Sequence, residues 1–309
     1  MGYARILRYL LVGFLIVAAA APNFISTASA QTSNIVRVGV YVLNIGRFDL
    51  ATGSYTIDFY LSMRCADKCN LGKFEFMNGR ASSVQQTEDT PTERFYRIQA
   101  NLHENIDLQN YPFDSHTLTI EIEDTSLTKG NLTYQPDPDN TGLDPSIHIV
   151  GWTVSAWAST VIDHYYQPYR QTYSRYIFSL TLARPDYTSA IDTFLPVVFL
   201  VFVSLISMLL VGKRLETRIF LTVTVLLAAV FFQFTLDSTI PPVGYLTFAD
   251  KFMIATYIII VSTLVVGIML LKYNDRKDMV KSERIHYYSI RILPLLAFLI
   301  YALTFLLFL

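Results

Sequence analysis

Four long apolar stretches in the C-terminal part of the chain decide its class. They lie near residues 193–211, 219–236, 252–271 and 292–309, and each has 18 to 20 residues. At about 1.5 Å rise per residue, each helix would be roughly as long as the 30 Å hydrocarbon core of a bilayer is thick. The sequence therefore predicts four membrane-spanning helices, at about 189–211, 217–238, 250–273 and 288–309.

The first thirty residues resemble an export signal. Arg5 and Arg8 precede an apolar run at 10–21, and Ala28-Ser29-Ala30 supplies small residues before Gln31. This order of a basic, an apolar and a small-residue region is typical of a cleaved signal peptide. We therefore expect a signal peptide at 1–30 and an exported domain at 31–187. The alternative, an uncleaved fifth span, is disfavoured because the apolar run is short.

Basic residues cluster in two of the loops between the predicted spans, and this asymmetry predicts the orientation. The loops that join spans one and two and spans three and four carry Lys213, Arg214, Arg218, Lys272, Arg276, Lys277, Lys281 and Arg284. By the positive-inside rule, both loops face the cytoplasm. The second-to-third loop and the exported domain then lie on the opposite side.

The exported domain shows the pattern of strands. Short alternating runs rich in Val, Ile, Thr, Tyr and Phe lie at 36–43, 55–63, 94–102, 117–122, 152–162 and 173–183, separated by Gly, Pro, Asn and Asp. Short strands that are spaced by turn residues predict an antiparallel sandwich or barrel.

Several function classes are excluded by composition and motif. Residues 31–188 carry 12 Lys and Arg against 18 Asp and Glu, so no basic face is available for nucleic acid. The sequence has no nucleophile elbow, no paired metal-ligand histidines and no glycine-rich phosphate loop. We therefore expect no enzyme activity, no cofactor and no metal site.

Two cysteines, Cys65 and Cys69, stand four residues apart. An exported domain permits a disulfide between them. A metal site is the alternative, but two thiols are half a tetrahedral zinc shell and no histidine lies near in sequence. We favour the disulfide.

A set of motifs in a fixed order resembles a known family. Tyr111-Pro112-Phe113-Asp114 follows Asp107, and later positions that match in order are 149–152, Arg184, Pro196, 226–227 and Pro241. Together with four C-terminal spans, this order resembles the pentameric ligand-gated ion channels, the Cys-loop receptor superfamily, and especially its bacterial members. The eponymous cysteines would fall at Glu104 and Leu118, so the loop has no such bridge here.

The resemblance implies a fold and a function. The fold would be an all-β immunoglobulin-like sandwich followed by a four-helix transmembrane bundle, assembled as a homopentamer. The function would be a cation-selective channel, gated by a small-molecule agonist or by protons, in a bacterial inner membrane with the sandwich in the periplasm. Its partners would be other copies of itself, the lipid bilayer and monovalent cations. The alternatives are a non-conducting receptor for a periplasmic ligand, which lacks a cytoplasmic output module here, and a transporter, which lacks internal repeats and broken spans.

In a pentamer, the second span of each chain would line the pore. A stripe at helical spacing comprises Glu216, Phe220, Thr224, Leu227, Phe231 and Phe234. A ring of Glu216 carboxylates at the cytoplasmic mouth would attract cations, and apolar rings from Leu227 outward would form the gate. Arg218 lies about 200° around the helix from Glu216 and should point away from the lumen. Phe220 would narrow the path, so either the register is rotated by one position or Phe220 is a second gate.

Signals must pass from the sandwich to the helices where the two meet. For this coupling we predict Asp49 in the first hairpin turn, a group around the Tyr-Pro-Phe-Asp motif, and a group in the second-to-third loop. The other members are Pro112, Phe113, Asp114, Arg184, Pro241 and Tyr245. A guanidinium between carboxylates would hold the junction.

Ligands of the family bind between subunits under a hairpin that here runs from 163 to 175. It contains Tyr165, Tyr166, Tyr169 and Tyr173, whose rings are suited to cage an organic cation, although tyrosine is also a common strand residue. Glu123 and Thr125 fall on the neighbouring segment, where an aromatic residue would be needed to complete a box. Control by protons is the rival hypothesis, with candidate titrating groups at Glu123, Asp124, His103, His116, His164 and His286.

Overall fold

The computed structural model describes residues 34–210 and 214–307. The predicted signal peptide at 1–30 lies outside the described residues, as do Lys213, Val211 and the two last residues of the predicted fourth span. Residues 34–183 form a two-sheet sandwich and residues 186–306 contain four long helices.

The first sheet contains the N-terminal strands. Its strands are β1 Asn34–Asp49, β2 Ser54–Cys65, β4 Gly79–Asp89, β5 Glu93–His103, β7 Leu132–Pro136 and β8 Gly142–Leu143. Their order is β4-β5-β2-β1-β7, and β8 also pairs with β1. β1 is antiparallel to β2 and parallel to β7 and β8.

The second sheet carries the segments that concern function. Its strands are β3 Phe74–Phe76, β6 Ser115–Asp124, β9 Thr153–Tyr166 and β10 Gln171–Ala183, in the order β3-β6-β10-β9. β10 is antiparallel to both neighbours, and it places Leu182 beside His116. The hairpin between β9 and β10 turns at 167–170, where Arg170 has a positive φ of 52°.

Alternating side chains of the two sheets meet in one core. On β1, Val36, Val38, Val40 and Val42 are all fully buried, while Arg37 and Tyr41 between them are more exposed. Phe59 of β2 and Phe178 of β10 face the same interior. Burial of each side chain of this size stabilises the fold by about 1.5 to 3 kcal/mol. A shift of one residue would move these side chains out of the core, so the alternation fixes the register of the strands.

Four helices follow the sandwich, and each is long and apolar enough to cross a membrane. They are α1 Asp186–Ile206, extended by a 3-10 turn at Ser207–Leu209, α2 Leu215–Thr239, α3 Phe248–Asp275 and α4 Met279–Leu306. A capping box between Thr247 and Asp250 begins α3. Polar side chains inside the bundle form hydrogen bonds with each other. The hydroxyls of Ser204 and Thr263, for example, lie 2.6 Å apart. In lipid, such pairs satisfy groups that water cannot reach.

The structure confirms the predicted fold class, a sandwich followed by four helices. The helix boundaries differ, because α1 begins at Asp186 rather than at 189 and α4 begins at Met279 rather than at 288. The early start of α4 includes charged residues that a search for apolar runs excludes. Cys65 and Cys69 are joined by a disulfide, with their Cα atoms 5.3 Å apart.

Candidate functional site

A buried ion pair lies where the sandwich meets the first helix. Asp114 directly precedes β6, and Arg184 lies between the end of β10 and the start of α1. The Arg184 Nε donates to Asp114 Oδ1 at 2.7 Å, and the backbone N–H of Arg184 donates to the Asp114 carbonyl at 3.3 Å. The side chain of Asp114 is 1% exposed. Two of the predicted coupling residues are thus brought together.

Aromatic rings and a histidine enclose this ion pair. The guanidinium carbon of Arg184 lies 4.5 Å from the centre of the Trp152 ring and 5.1 Å from that of Tyr111. On the other side, Nε2 of the buried His116 lies 2.7 Å from Asp114 Oδ2. One carboxylate therefore contacts both a guanidinium and an imidazole.

The carboxyl of Asp114 titrates below its ordinary range. Burial by itself would raise its pKa. The hydrogen bond with His116 and the positive charge of Arg184 act in the opposite direction, and the net result is a lowered pKa. The ionised carboxylate is therefore the form that this junction stabilises.

Phe113 carries the contact further into the membrane bundle. Its ring centre lies 5.8 Å from that of Phe194 in α1 and 6.0 Å from that of Phe248 in α3. The preceding Tyr111-Pro112 bond is cis, and the Tyr111 hydroxyl lies 3.2 Å from the Thr239 hydroxyl at the end of α2. The motif therefore touches three of the four helices.

The loop between α2 and α3 also docks on the sandwich. The Leu108 N–H donates to the Tyr245 hydroxyl oxygen at 2.8 Å, and the Phe248 N–H donates to the Gln109 carbonyl at 2.8 Å. Pro241 lines a cleft together with Leu50 of the first hairpin turn. These contacts place Tyr245 and Pro241 at the interface between the two layers.

Asp49 does not take the place that we predicted for it. Its carboxylate accepts a hydrogen bond from the Ala51 N–H at 2.9 Å, and in the described part of the chain it forms no ion pair with Arg184. Asp49 shapes the hairpin turn instead, together with Gly53, whose φ is +67° and where an added Cβ would lie 2.0 Å from the Glu104 carbonyl oxygen. His116 supplies the second contact to Asp114, and sequence reasoning missed this pairing.

A second arginine cluster lies beneath the β9–β10 hairpin. Arg175 donates from Nε to Glu123 Oε1 at 2.6 Å and from Nη1 to Glu121 Oε2 at 2.7 Å. The Tyr166 hydroxyl donates to the other oxygen of Glu123 at 3.0 Å. Two carboxylates against one guanidinium leave this cluster with a net charge of about −1.

These contacts shift two pKa values. Burial and then the hydrogen bond to Glu123 raise the pKa of the Tyr166 hydroxyl. For Arg175, burial would lower the pKa, but the hydrogen bond and the charge of Glu123 raise it overall. Sequence reasoning had not included Arg175 or Glu121. Arg175, Glu121 and Glu123 occupy outward positions on β10 and β6. The pairing of these two strands brings their side chains together.

Three of the four predicted tyrosines gather at the hairpin. The ring of Tyr166 lies 5.7 Å from Tyr173 and 6.4 Å from Tyr169, and the imidazole of His164 is 4.5 Å away. Tyr165 alternates to the opposite face of β9 and is 57% exposed. Thr125 is exposed, and its N–H donates to the Lys73 carbonyl at 2.7 Å. The structure therefore leaves Tyr165 and Thr125 away from the ring cluster.

All six predicted pore residues lie on one exposed face of α2. Phe220, Leu227, Phe231 and Phe234 are 55 to 71% exposed, and Glu216 and Thr224 are exposed as well. The opposite face of α2 is buried against the other helices, and its residues are Leu215, Arg218, Thr222, Val225, Ala229 and Leu236.

Arg218 is fully buried inside the bundle of its own chain. Gly267 of α3 passes beside it, where an added Cβ would lie 3.8 Å from Nε. Among the residues that the structure describes, none is a hydrogen-bond partner of its three guanidinium nitrogens. The side chain thus points away from the exposed stripe, as the 200° separation from Glu216 predicts.

Sequence comparison finds channel proteins that are similar to this chain. Over 175 residues, or 57% of the chain, it is 22% identical to the proton-gated ion channel of Gloeobacter violaceus, and the match covers 48% of that protein. Over 158 residues, or 50% of the chain, it is 21% identical to human gamma-aminobutyric acid receptor subunit rho-1 and 22% identical to the rat subunit, covering 33% of each. No family model matches the chain.

The class of protein follows from the architecture and these similarities together. A strand-rich sandwich followed by four membrane-length helices is the order of domains that the motifs predicted. The chain is homologous to the pentameric ligand-gated ion channels at low identity, and the predicted resemblance is confirmed. The matched region spans about half or less of the length of these curated relatives. Because it has four helices of membrane-spanning length and is homologous to membrane channels, the chain is a multi-pass membrane protein.

Proposed function

We propose that five copies of this chain form a gated channel that is selective for cations. The observation that carries the proposal is the exposed stripe on α2, which combines one carboxylate, one hydroxyl and four large apolar side chains. A lone lipid-facing helix has little reason to keep Glu216 and Thr224 on its exposed face. Around a fivefold axis, the stripe becomes a column of rings.

Charge along this column favours cations. Glu216 is exposed near the start of α2, and five such carboxylates would concentrate cations at the cytoplasmic mouth. Arg218 carries the opposing charge, but its guanidinium is buried on the far side of the helix. The carboxylate ring therefore acts on permeating ions at closer range.

Apolar rings supply the gate of the proposed channel. Leu227, Phe231 and Phe234 are all more than half exposed on the same stripe, toward the sandwich end of α2. A narrow apolar constriction blocks ions by dewetting. Phe220 lies on the stripe too, so we propose that it forms a second constriction below Thr224.

For the agonist, we propose a small organic cation bound under the β9–β10 hairpin. The excess carboxylate charge around Arg175 and the rings of Tyr166, Tyr169 and Tyr173 support this ligand class. The Asp114–Arg184 junction would then pass the signal to α1.

The direct test uses the purified full-length protein in planar bilayers under a KCl gradient. Current is recorded while simple amines are added and pH is stepped on the sandwich side. We expect a current that reverses near the potassium equilibrium potential. In Glu216→Gln the reversal potential should move toward zero, whereas the matched change Glu283→Gln on α4 should leave it unchanged. A reversal potential that stays fixed in Glu216→Gln would remove the carboxylate ring from the proposal.

The gate has its own test. Leu227→Ala should open at a weaker stimulus because a smaller ring wets more easily. Leu299→Ala makes the same change at an exposed position of α4 and should behave like the unmodified protein. Pentameric particles that never conduct under any stimulus would favour the alternative, a non-conducting receptor.

A further inference from the structure

His116 is buried at the centre of the junction between sandwich and membrane helices. It is 4% exposed, and its Nε2 lies 2.7 Å from Asp114 Oδ2. Because the ionised Asp114 only accepts hydrogen bonds, Nε2 carries the hydrogen and donates it. In the neutral imidazole, Nδ1 is therefore the nitrogen that is free to take up a proton.

The surroundings of His116 are aromatic and apolar apart from one ion pair. Its ring lies 5.8 Å from Phe48 at the end of β1 and 5.3 Å from Trp152, and Leu182 of β10 is its cross-strand neighbour. Among the described residues, the charged groups seen in this cluster are Asp114 and Arg184. Uptake of one proton therefore changes the net charge of the cluster from 0 to +1.

A charged imidazole would change how Asp114 is shared. Neutral His116 leaves the carboxylate charge matched to Arg184 alone. An imidazolium would form a charge-assisted hydrogen bond to the same carboxylate, and such bonds are about twice as strong as neutral ones. It would also repel Arg184. Both effects weaken the hold of Asp114 on Arg184, which lies just before the first residue of α1.

We propose that His116 is a proton-binding site that regulates this protein, and that proton uptake loosens the Asp114–Arg184 contact and favours opening. The effect on opening rests on the channel function proposed above, whereas the proton site itself does not. Acid on the sandwich side then acts at the junction directly, at a distance from the hairpin where we place the agonist.

Other histidines of the sandwich offer matched controls. His103 and His148 are exposed. They share the titrating group but lie outside the ion-paired cluster. His164 sits at the hairpin against Tyr166 and would report on the agonist region instead.

The first measurement follows proton binding without any need for current. The chain has two tryptophans, and Trp152 contacts His116 while Trp157 is 45% exposed on β9. In the Trp157→Phe variant, we expect the Trp152 fluorescence to change when the buffer is stepped from pH 8 to pH 5, because a charged imidazolium perturbs the adjacent indole. The titration should vanish on adding His116→Gln, which keeps a side-chain hydrogen-bond donor for Asp114, and should persist with His103→Gln.

The second measurement records current against pH for the same variants. A difference of one pKa unit between closed and open forms changes their ratio about tenfold for each proton site. We therefore expect the ratio of current at pH 5 to current at pH 8 to fall by about tenfold or more in His116→Gln and to stay unchanged in His103→Gln and His148→Gln.

The outcomes separate the two proposals. A Trp152 titration that survives His116→Gln, or a pH–current curve that does not change in this variant, overturns the proton site. A titration that disappears in His116→Gln supports the site even when no variant conducts, and in that case the channel function is the proposal that fails.

Discussion

Two arginine clusters, one just beyond the end of β10 and one on that strand, differ in charge balance and in exposure. At the junction, Arg184 faces the single carboxylate of Asp114, and aromatic rings and His116 close the space around the pair. At the hairpin, Arg175 faces two carboxylates beside tyrosines that remain partly exposed. A closed, charge-balanced cluster holds two layers together. An open cluster with surplus negative charge leaves room for a cation.

Breaking the closed cluster should have the largest effect. Arg184→Ala leaves the buried Asp114 carboxylate without its cation, and loss of one partner of a buried pair costs about 3 to 5 kcal/mol. The free energy of unfolding, measured by denaturant titration in detergent, should fall by that amount. Arg97→Ala removes an exposed partner from the Asp58 pair and should cost less than about 1 kcal/mol. If Arg184→Ala and Arg97→Ala lowered the free energy of unfolding equally, the buried pair would not be stronger than the exposed one.

Breaking the open cluster should cost less. Arg175→Ala leaves Glu123, which is 2% exposed, without its strongest partner, but Tyr166 still donates to it. We expect a loss of about 1 to 3 kcal/mol in the free energy of unfolding. Binding of an organic cation should at the same time become tighter because the cluster loses its positive charge. Weaker binding of amines by this variant, measured by calorimetry, would reverse the assignment of ligand charge.

Acid should weaken the closed cluster. The lowered pKa of Asp114 means that its ionised form stabilises the fold at pH values above the unfolded-state pKa. This stabilisation is lost as pH falls through the lower folded-state pKa, below about pH 4. Wild-type protein should therefore lose more stability than Asp114→Asn between pH 5 and pH 2. Parallel curves for the two proteins would show that Asp114 does not contribute.

The smallest effect is expected at the hairpin hydroxyl. Tyr166→Phe keeps the ring and removes the hydrogen bond to Glu123, which should cost about 0.5 to 1.5 kcal/mol of the free energy of unfolding. Tyr165→Phe, on the opposite face of β9, should change nothing measurable. A larger effect at Tyr165 would mean that the rings of the wrong face were assigned to the site.

The strands and helices with a strong pattern of their own could be predicted from the sequence. Alternation on β1, β2, β5, β6, β9 and β10 and the long apolar runs located most of the structure. Short or polar strands were missed, such as β3 at Phe74–Phe76 and the largely exposed β4 at Gly79–Asp89. Such segments become strands because a neighbour pairs with them, and their own residues carry little signal.

The residues of the candidate site likewise differ in whether the sequence predicts their positions. The stripe on α2 follows from helical spacing, so Glu216 and Leu227 could be placed on one face in advance. Asp114 and Arg184 were also predicted together, through the resemblance to the family. The partners of Arg175 could not be placed, because Glu123 lies 52 residues away in sequence and the contact depends on the register of the sheet. Asp49 was predicted to contact Arg184, but the guanidinium lies against the rings of Trp152 and Tyr111 instead.

The sequence by itself determined the class of this protein, its division into a sandwich and four spans, and the face of α2 that carries its charge. Hydrophobic periodicity is local, and each segment displays its own. Only the tertiary structure decided that one carboxylate is shared by Arg184 and His116, and that Arg175 contacts two glutamates. Contacts of this kind depend on which strands are neighbours, and that choice is made by burial of the whole core.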